Sequence, residues 1–295
     1  MTDCTNRPSE GTHDGDGRNG LSRRDYLSLA GVSAGVVGGL VLVAADDQIV
    51  GEGGPPRSDW KLSFADDFEG SDLNTDHWDV GWGWGTETNT SPTQIVAENV
   101  IVRNGTLRFS GTHDGTQIFS GAVNTRNKVT FGPGSYVEAK VDFVGRPGFH
   151  NAVWSKPNSE RWPPEIDVVE FWESGTGLTD RYLSRHHVHY SASTVPGDNS
   201  TARDSGTTYT PGGDLTQGFH IYGVEWRSDR ISYYVDGKNV AEFSDETMLT
   251  AMRRGAPFYL MVNLNINNTA TAGTADTAEP WGEAMVLDWI RLWKR

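Results

Sequence analysis

Short apolar runs that alternate with polar residues, each closed by Gly, Asn, Asp or Pro, recur along most of this chain. They constrain its fold more than any other feature. "NVIVRNGTLRFSGTHDG" reads as a strand, an Asn104-Gly105 turn and a second strand. "FGPGSYVEAKVDFVG" alternates from Tyr136 to Phe143, and "GFHNAVWSKP", "EIDVVEFW", "RHHVHYSA", "PFYLMVNLNI" and "MVLDWIRLW" follow the same rule. "FHIYGVEWRSDRISYYVDGKNVAEF" reads as paired hairpins turning at Ser228-Asp229 and Asp236-Gly237. Many short strands with regular turn signals predict an all-β sandwich or barrel. The spacing predicts one helical segment, Asp245 to Gly255, with an acidic start and a basic, Gly-terminated end. With 35 Gly for turns and 11 Trp, 9 Tyr and 11 Phe for a core, the composition agrees.

The first 45 residues do not belong to that pattern. Residues 1–20 are polar and aperiodic, which predicts disorder. "LSRRDYLSLAGVSAGVVGGLVLVAA" then resembles a twin-arginine export signal. Arg23-Arg24 follows Ser22 and precedes Tyr26-Leu27, and a Gly-diluted apolar stretch ends in small residues. The expectation is a secreted protein whose signal is cleaved, rather than one kept on a membrane anchor. Residues 46–59, "DDQIVGEGGPPRSD", read as a Gly/Pro linker, and 60–295 as one catalytic domain. The single cysteine, Cys4, excludes an intramolecular disulfide. A net charge of −14 excludes nucleic acid as a partner and, with few lysines, fits a salt-adapted surface. A monomer is expected.

"EIDVVE" stands out among the strands. With a side-chain period of two, Glu165 and Asp167 share a face and Glu170 points to the other. The flanking Ile166, Val168, Val169, Phe171 and Trp172 are too apolar for a charged edge strand. A β-bulge at Val168 or Val169 resets the alternation and brings all three acids together. Clustered carboxylates cannot all ionise at low cost, so a pair with opposed protonation states is the expected outcome. That is the equipment of retaining glycoside hydrolysis, which uses two carboxyl groups about 5–5.5 Å apart. Glu165 is the expected ionised nucleophile, Glu170 the protonated acid/base and Asp167 the assisting acid between them.

The motif resembles the E-x-D-x-x-E signature of glycoside hydrolase family 16. "FADDFEGSDLNTDHW", "FGPGSYVEAKV", "GFHNAVWS", "PFYLMVNLNI" and "VLDWIRLW" resemble further blocks of that family in order, from Phe64 to Trp293. The resemblance implies a concanavalin A-like jelly-roll sandwich of two antiparallel sheets with a concave groove for a β-linked polysaccharide. It implies internal cleavage with retention, and it gives Glu165, Asp167 and Glu170 the roles above. A β-1,3(4)-glucan is the first expected substrate. An agarase- or carrageenase-type galactanase and a transglycosylase are the alternatives. Pro164 before Glu165, and the absence of Trp in "NLNINNTATAG", depart from the laminarinase pattern. A lectin on the same fold is the alternative of another class, and it has no use for three clustered acids.

Sugar faces are apolar, so Trp162, Trp154, Trp84 and Trp172 are candidate substrate platforms. Trp226, Trp289 and Trp293 read as core. "HHVH" lacks a carboxylate or Cys partner at a zinc spacing; the resemblance instead places His189 near the acid/base as a substrate contact. It also implies a structural calcium on the convex face, with Asp288, Gly105 and Asp66 as ligands. No cofactor is expected for catalysis.

Overall fold

The computed structural model describes residues 53–86, 93–143, 145–173, 178–266 and 281–295. The expected signal, the start of the linker and residues 267–280 lie outside them.

The Asn104-Gly105 turn shows how local chemistry sets the topology. Both residues have positive φ, 55° and 67°. That is the type I′ geometry whose twist matches a right-handed hairpin, and it joins Val100–Arg103 to Thr106–Ser110. Asp236 and Gly237, at φ 48° and 75°, do the same between Ile231–Val235 and Lys238–Phe243. Such hairpins build one eight-stranded sheet, centred on Ser135–Phe143 and Glu283–Lys294. A second eight-stranded sheet runs in the order Ala202–Tyr209, Ser184–Ser191, Glu165–Trp172, Phe149–Pro157, Phe258–Ile266, Ala122–Asn124 and Asp79–Val80, with Thr130–Phe131 also on Phe258–Ile266. The neighbours are antiparallel and, along each sheet's order, half of them are non-consecutive in sequence, so this is the expected jelly-roll sandwich, open rather than closed into a barrel.

The core lies between the sheets. From the first come Val137, Ala139, Val141 and Phe143, at the alternate positions of one strand; from the second come Ile166, Val168, Val169 and Phe171. Phe143 stacks on Phe171 with ring centres 5.0 Å apart. The expected helix is present as Glu246–Gly255, and the Asp245 side chain caps it by accepting from the Met248 amide at 2.8 Å. Its buried Met248, Leu249 and Met252 join the same core. Trp226 is fully buried, as expected for core. Trp289 is buried on the outer side of its sheet, under the Arg291 guanidinium at 4.0 Å.

On that outer side a second cluster gathers Trp60, Tyr136, Tyr234 and Trp293. Glu138 is buried beside it. Its carboxylate accepts from the Tyr136 hydroxyl at 2.8 Å and the Gly54 amide at 2.7 Å. Burial pushes Glu138 up to about 7, and those two hydrogen bonds only partly offset the effect.

Candidate active site

The expected bulge is present. On one side of Glu165–Trp172, Val153 stands opposite Val169 and the next residue, Trp154, opposite Asp167, so Val168 has no partner. On the other side, Asp167 pairs with His187 and Glu170 with Arg185, leaving two valines against His186 alone. The energetics favour this break. A regular strand would turn Val169 outward and bury Glu170 in the core. Exposing a valine forfeits about 1.5–3 kcal/mol. Burying an unpaired carboxylate costs several kcal/mol more. Disrupting one ladder hydrogen bond costs about 1 kcal/mol. Both valines are therefore fully buried, and Glu170 emerges with Glu165 and Asp167.

These three acids line one cleft, together with Trp82, Trp84, Trp154, Trp162, His150 and Lys156. Trp162 is 39 % exposed, and its Nε1 donates to Glu165 Oε2 at 3.1 Å. In the same cleft Trp84 is 44 % exposed and stacks parallel on Trp82 at 5.5 Å, with the Lys156 ammonium 4.5 Å over its ring. Trp154 is half-buried behind them and donates to Asn263 Oδ1 at 2.7 Å. Trp172 differs from the expectation of a sugar platform. The Arg185 guanidinium covers its face at 3.8 Å, and the His150 ring meets it edge-on at 5.1 Å.

The histidines depart further from the sequence reading. His189 does not stand at Glu170. Its Nε2 lies 3.2 Å from Asp167 Oδ2 and 3.7 Å from Glu165 Oε1, because His189 is the cross-strand partner of Glu165. The imidazoles on Glu170 belong to His187, whose Nδ1 is 2.7 Å from Oε2, and to His150, whose Nε2 is 2.9 Å from Oε1. Neither His187 nor His150 is marked by the motif that picks out the three acids. The signal for His150 was available: period two from Trp154 through Ala152 puts it on the groove face. Lys156, Asn263 and Asn265 reach the cleft by the same alternation and were also missed.

The surroundings of the three acids pull them in different directions. Burial, and then the neighbouring Asp167, push Glu165 well above the usual carboxylate range. Burial and the Glu170 charge push Asp167 up as well. Glu170 goes the other way. Its burial is outweighed by the hydrogen bonds and charge of His150 and His187, which hold it below the usual range.

Among the described residues, the only groups of three His, Asp or Glu side chains close enough to share an ion are Glu165–Asp167–His189 and Asp167–Glu170–His187. In the second, His187 is hydrogen-bonded to Glu170; in the first, His189 lies 3.2 Å from Asp167 Oδ2 without a hydrogen bond to it. Asp288 and Asp66 join no such group. Asp288 Oδ2 is met by the Lys140 ammonium at 2.9 Å, and Asp66 accepts from Trp78 Nε1 at 2.8 Å and the Phe68 amide at 2.9 Å. Gly105 sits in its hairpin turn. A lysine charge already satisfies the carboxylate that calcium would need, so this donor set does not fit the expected ion.

Comparison with known proteins agrees with the fold and the groove. The chain is 25 % identical over 277 residues to glucan endo-1,3-β-glucosidase A1 of Niallia circulans, a match covering 81 % of this chain and 39 % of that protein. It is 26 % identical over 206 residues to β-porphyranase B of Zobellia galactanivorans, covering 62 % and 68 %. The crystal structure of the endo-β-1,3-glucanase from Pyrococcus furiosus superposes with a TM-score of 0.64 at 27 % identity, over 80 % of this chain and 94 % of that one. Residues 60–295 match the domain family described as β-porphyranase A–D, GH16 domain. The chain therefore belongs to the β-porphyranase A–D group of glycoside hydrolase family 16 domains.

Proposed function

We propose that this protein is an endo-acting, retaining glycoside hydrolase that cleaves internal β-linkages of a porphyran-type galactan. One observation carries the reading: the bulge at Val168 turns Glu165, Asp167 and Glu170 onto one wall of an aromatic-lined cleft. Glu165 attacks the anomeric carbon while Glu170 protonates the departing glycosidic oxygen. Glu170, now a carboxylate, takes a proton from water, and that water displaces Glu165 from the glycosyl-enzyme. Asp167 supports Glu165 through both steps. Trp162 donates to Glu165 and offers a sugar-stacking face beside it. Trp84, stacked on Trp82 and with the Lys156 ammonium over its ring, offers the groove its exposed edge. A carbohydrate-binding protein without activity would need the aromatics and not the trio.

The galactan reading rests on the family match over residues 60–295. A β-1,3(4)-glucan is the second reading, favoured by the glucanase relative that covers 81 % of this chain. Export through the twin-arginine signal would bring the enzyme to a polymer too large to enter a cell. Incubation with porphyran, agarose, carrageenan, laminarin and mixed-linkage glucan, at low and high salt, tests the assignment. Reducing ends should appear first from porphyran. Sizing the products separates hydrolysis from transglycosylation. Release from none of these polymers would contradict the reading.

A further inference from the structure

Both oxygens of Glu170 are held, and they are held from opposite sides. His150 reaches Oε1 from the Phe149–Pro157 strand, and His187 reaches Oε2 from Ser184–Ser191. Each imidazole is itself supported. His150 packs edge-on against Trp172. The Tyr233 hydroxyl donates to the His187 backbone carbonyl at 2.6 Å. The next strand leaves a gap for the ring: Gly206 is the cross-strand partner of His187, and a Cβ there would lie 2.0 Å from His187 Cδ2. Gly206 has no positive φ, so the backbone does not demand glycine; the imidazole does.

The other charged groups around Glu170 do not replace this contact. Asp167, on the same strand, repels it. Arg185 is its cross-strand partner, yet its guanidinium lies over Trp172 and bonds Asp180 at 2.7 Å. His186 turns into the core toward the Val168 carbonyl at 2.7 Å. His189 serves Asp167 and Glu165. Lys156 lies toward Trp84 and Glu160.

We propose that His150 and His187 are positioning residues that hold both oxygens of the Glu170 carboxyl group from opposite strands, so that loss of either contact lets Glu170 take up a proton more readily. Gly206 belongs to the device because it makes room for one arm of the clamp. This inference rests on the reading of Glu170 as the acid/base.

Carbon-13 NMR of glutamate-labelled protein tests the clamp without any substrate, so a failed clamp and a failed hydrolase assignment are told apart. The Glu170 carboxyl signal is identified by its loss in Glu170→Gln. In the wild type it should stay ionised through the ordinary carboxyl range. In the His150→Gln/His187→Gln double variant its midpoint should rise by about two pH units. Gly206→Ala, which only displaces the His187 ring, should raise it by about one unit, and it carries the test if the double variant does not fold. A wild-type Glu170 that titrates where it does in these variants would overturn the proposal.

Discussion

Glu165 and Glu170 lie five positions apart on one strand, an odd spacing that should send them to opposite faces, yet both line the same cleft. The unpaired Val168 between them makes the difference. That one extra residue puts both carboxyl groups on the same wall.

Loss of either carboxyl should therefore remove activity without unfolding the protein. Glu165→Gln and Glu170→Gln should each lower turnover by about 10²–10⁴-fold, with thermal midpoints at or slightly above the wild type. Asp167→Asn should cost less, since it alters the support of Glu165 rather than a reacting group. Turnover within a factor of two of wild type in either Glu variant would exclude that residue from the chemistry.

Trp162 makes two contributions that substitution can separate. Its ring is exposed for stacking, and its Nε1 donates to Glu165. Trp162→Phe keeps the ring and should leave KM nearly unchanged while kcat falls about tenfold, as expected for a lost hydrogen bond to a carboxylate. Trp162→Ala should also raise KM, by about fivefold for the lost stacking. Steady-state kinetics on the cleaved polysaccharide gives both numbers, and an unchanged kcat in Trp162→Phe would exclude the indole N–H from the mechanism.

Glu138 links folding to pH. Its ordinary value is 4.5 and its folded value about 7, so the unfolded chain gives up this proton first as pH rises. The stability it supports is complete below pH 4.5 and lost as pH rises through 7. Glutamine can keep a contact to both Gly54 and Tyr136 without a charge to bury. Glu138→Gln should thus match the wild type at pH 4 and exceed it at pH 8 by up to about 3 kcal/mol. Denaturant unfolding at the two pH values checks this, and an equal difference at both would contradict it.

Calcium should not stabilise the convex face. Lys140 already neutralises Asp288. Added calcium should move the thermal midpoint by less than about 1 °C, whereas an occupied site at a hundredfold excess over Kd would add about 2.7 kcal/mol. Lys140→Ala should lower the midpoint and create calcium sensitivity. A clear calcium-dependent rise in the wild type would restore the ion.

The hairpins, the capped helix and the bulge could be read from the sequence because each is decided locally. Asn-Gly and Asp-Gly specify their turns, Asp245 caps its own helix, and two adjacent valines cannot both be buried on a regular strand. The ionisation of the trio was not readable. Glu170 is set by His150 and His187, which come from the two flanking strands, and a strand's own periodicity says nothing about its neighbours' register. The same blindness moved His189 from Glu170 to Glu165. It also concealed Lys140, whose ammonium reaches Asp288 from the adjacent strand.

The central claim is that Glu165 and Glu170 act as a retaining pair across the bulge. Proton NMR of the anomeric signal in the first minutes of polysaccharide cleavage tests it most directly. The account predicts that the newly formed reducing end appears as the β-anomer and only later mutarotates. An α-anomer formed first would mean a single inverting displacement, and would contradict the roles assigned to both residues.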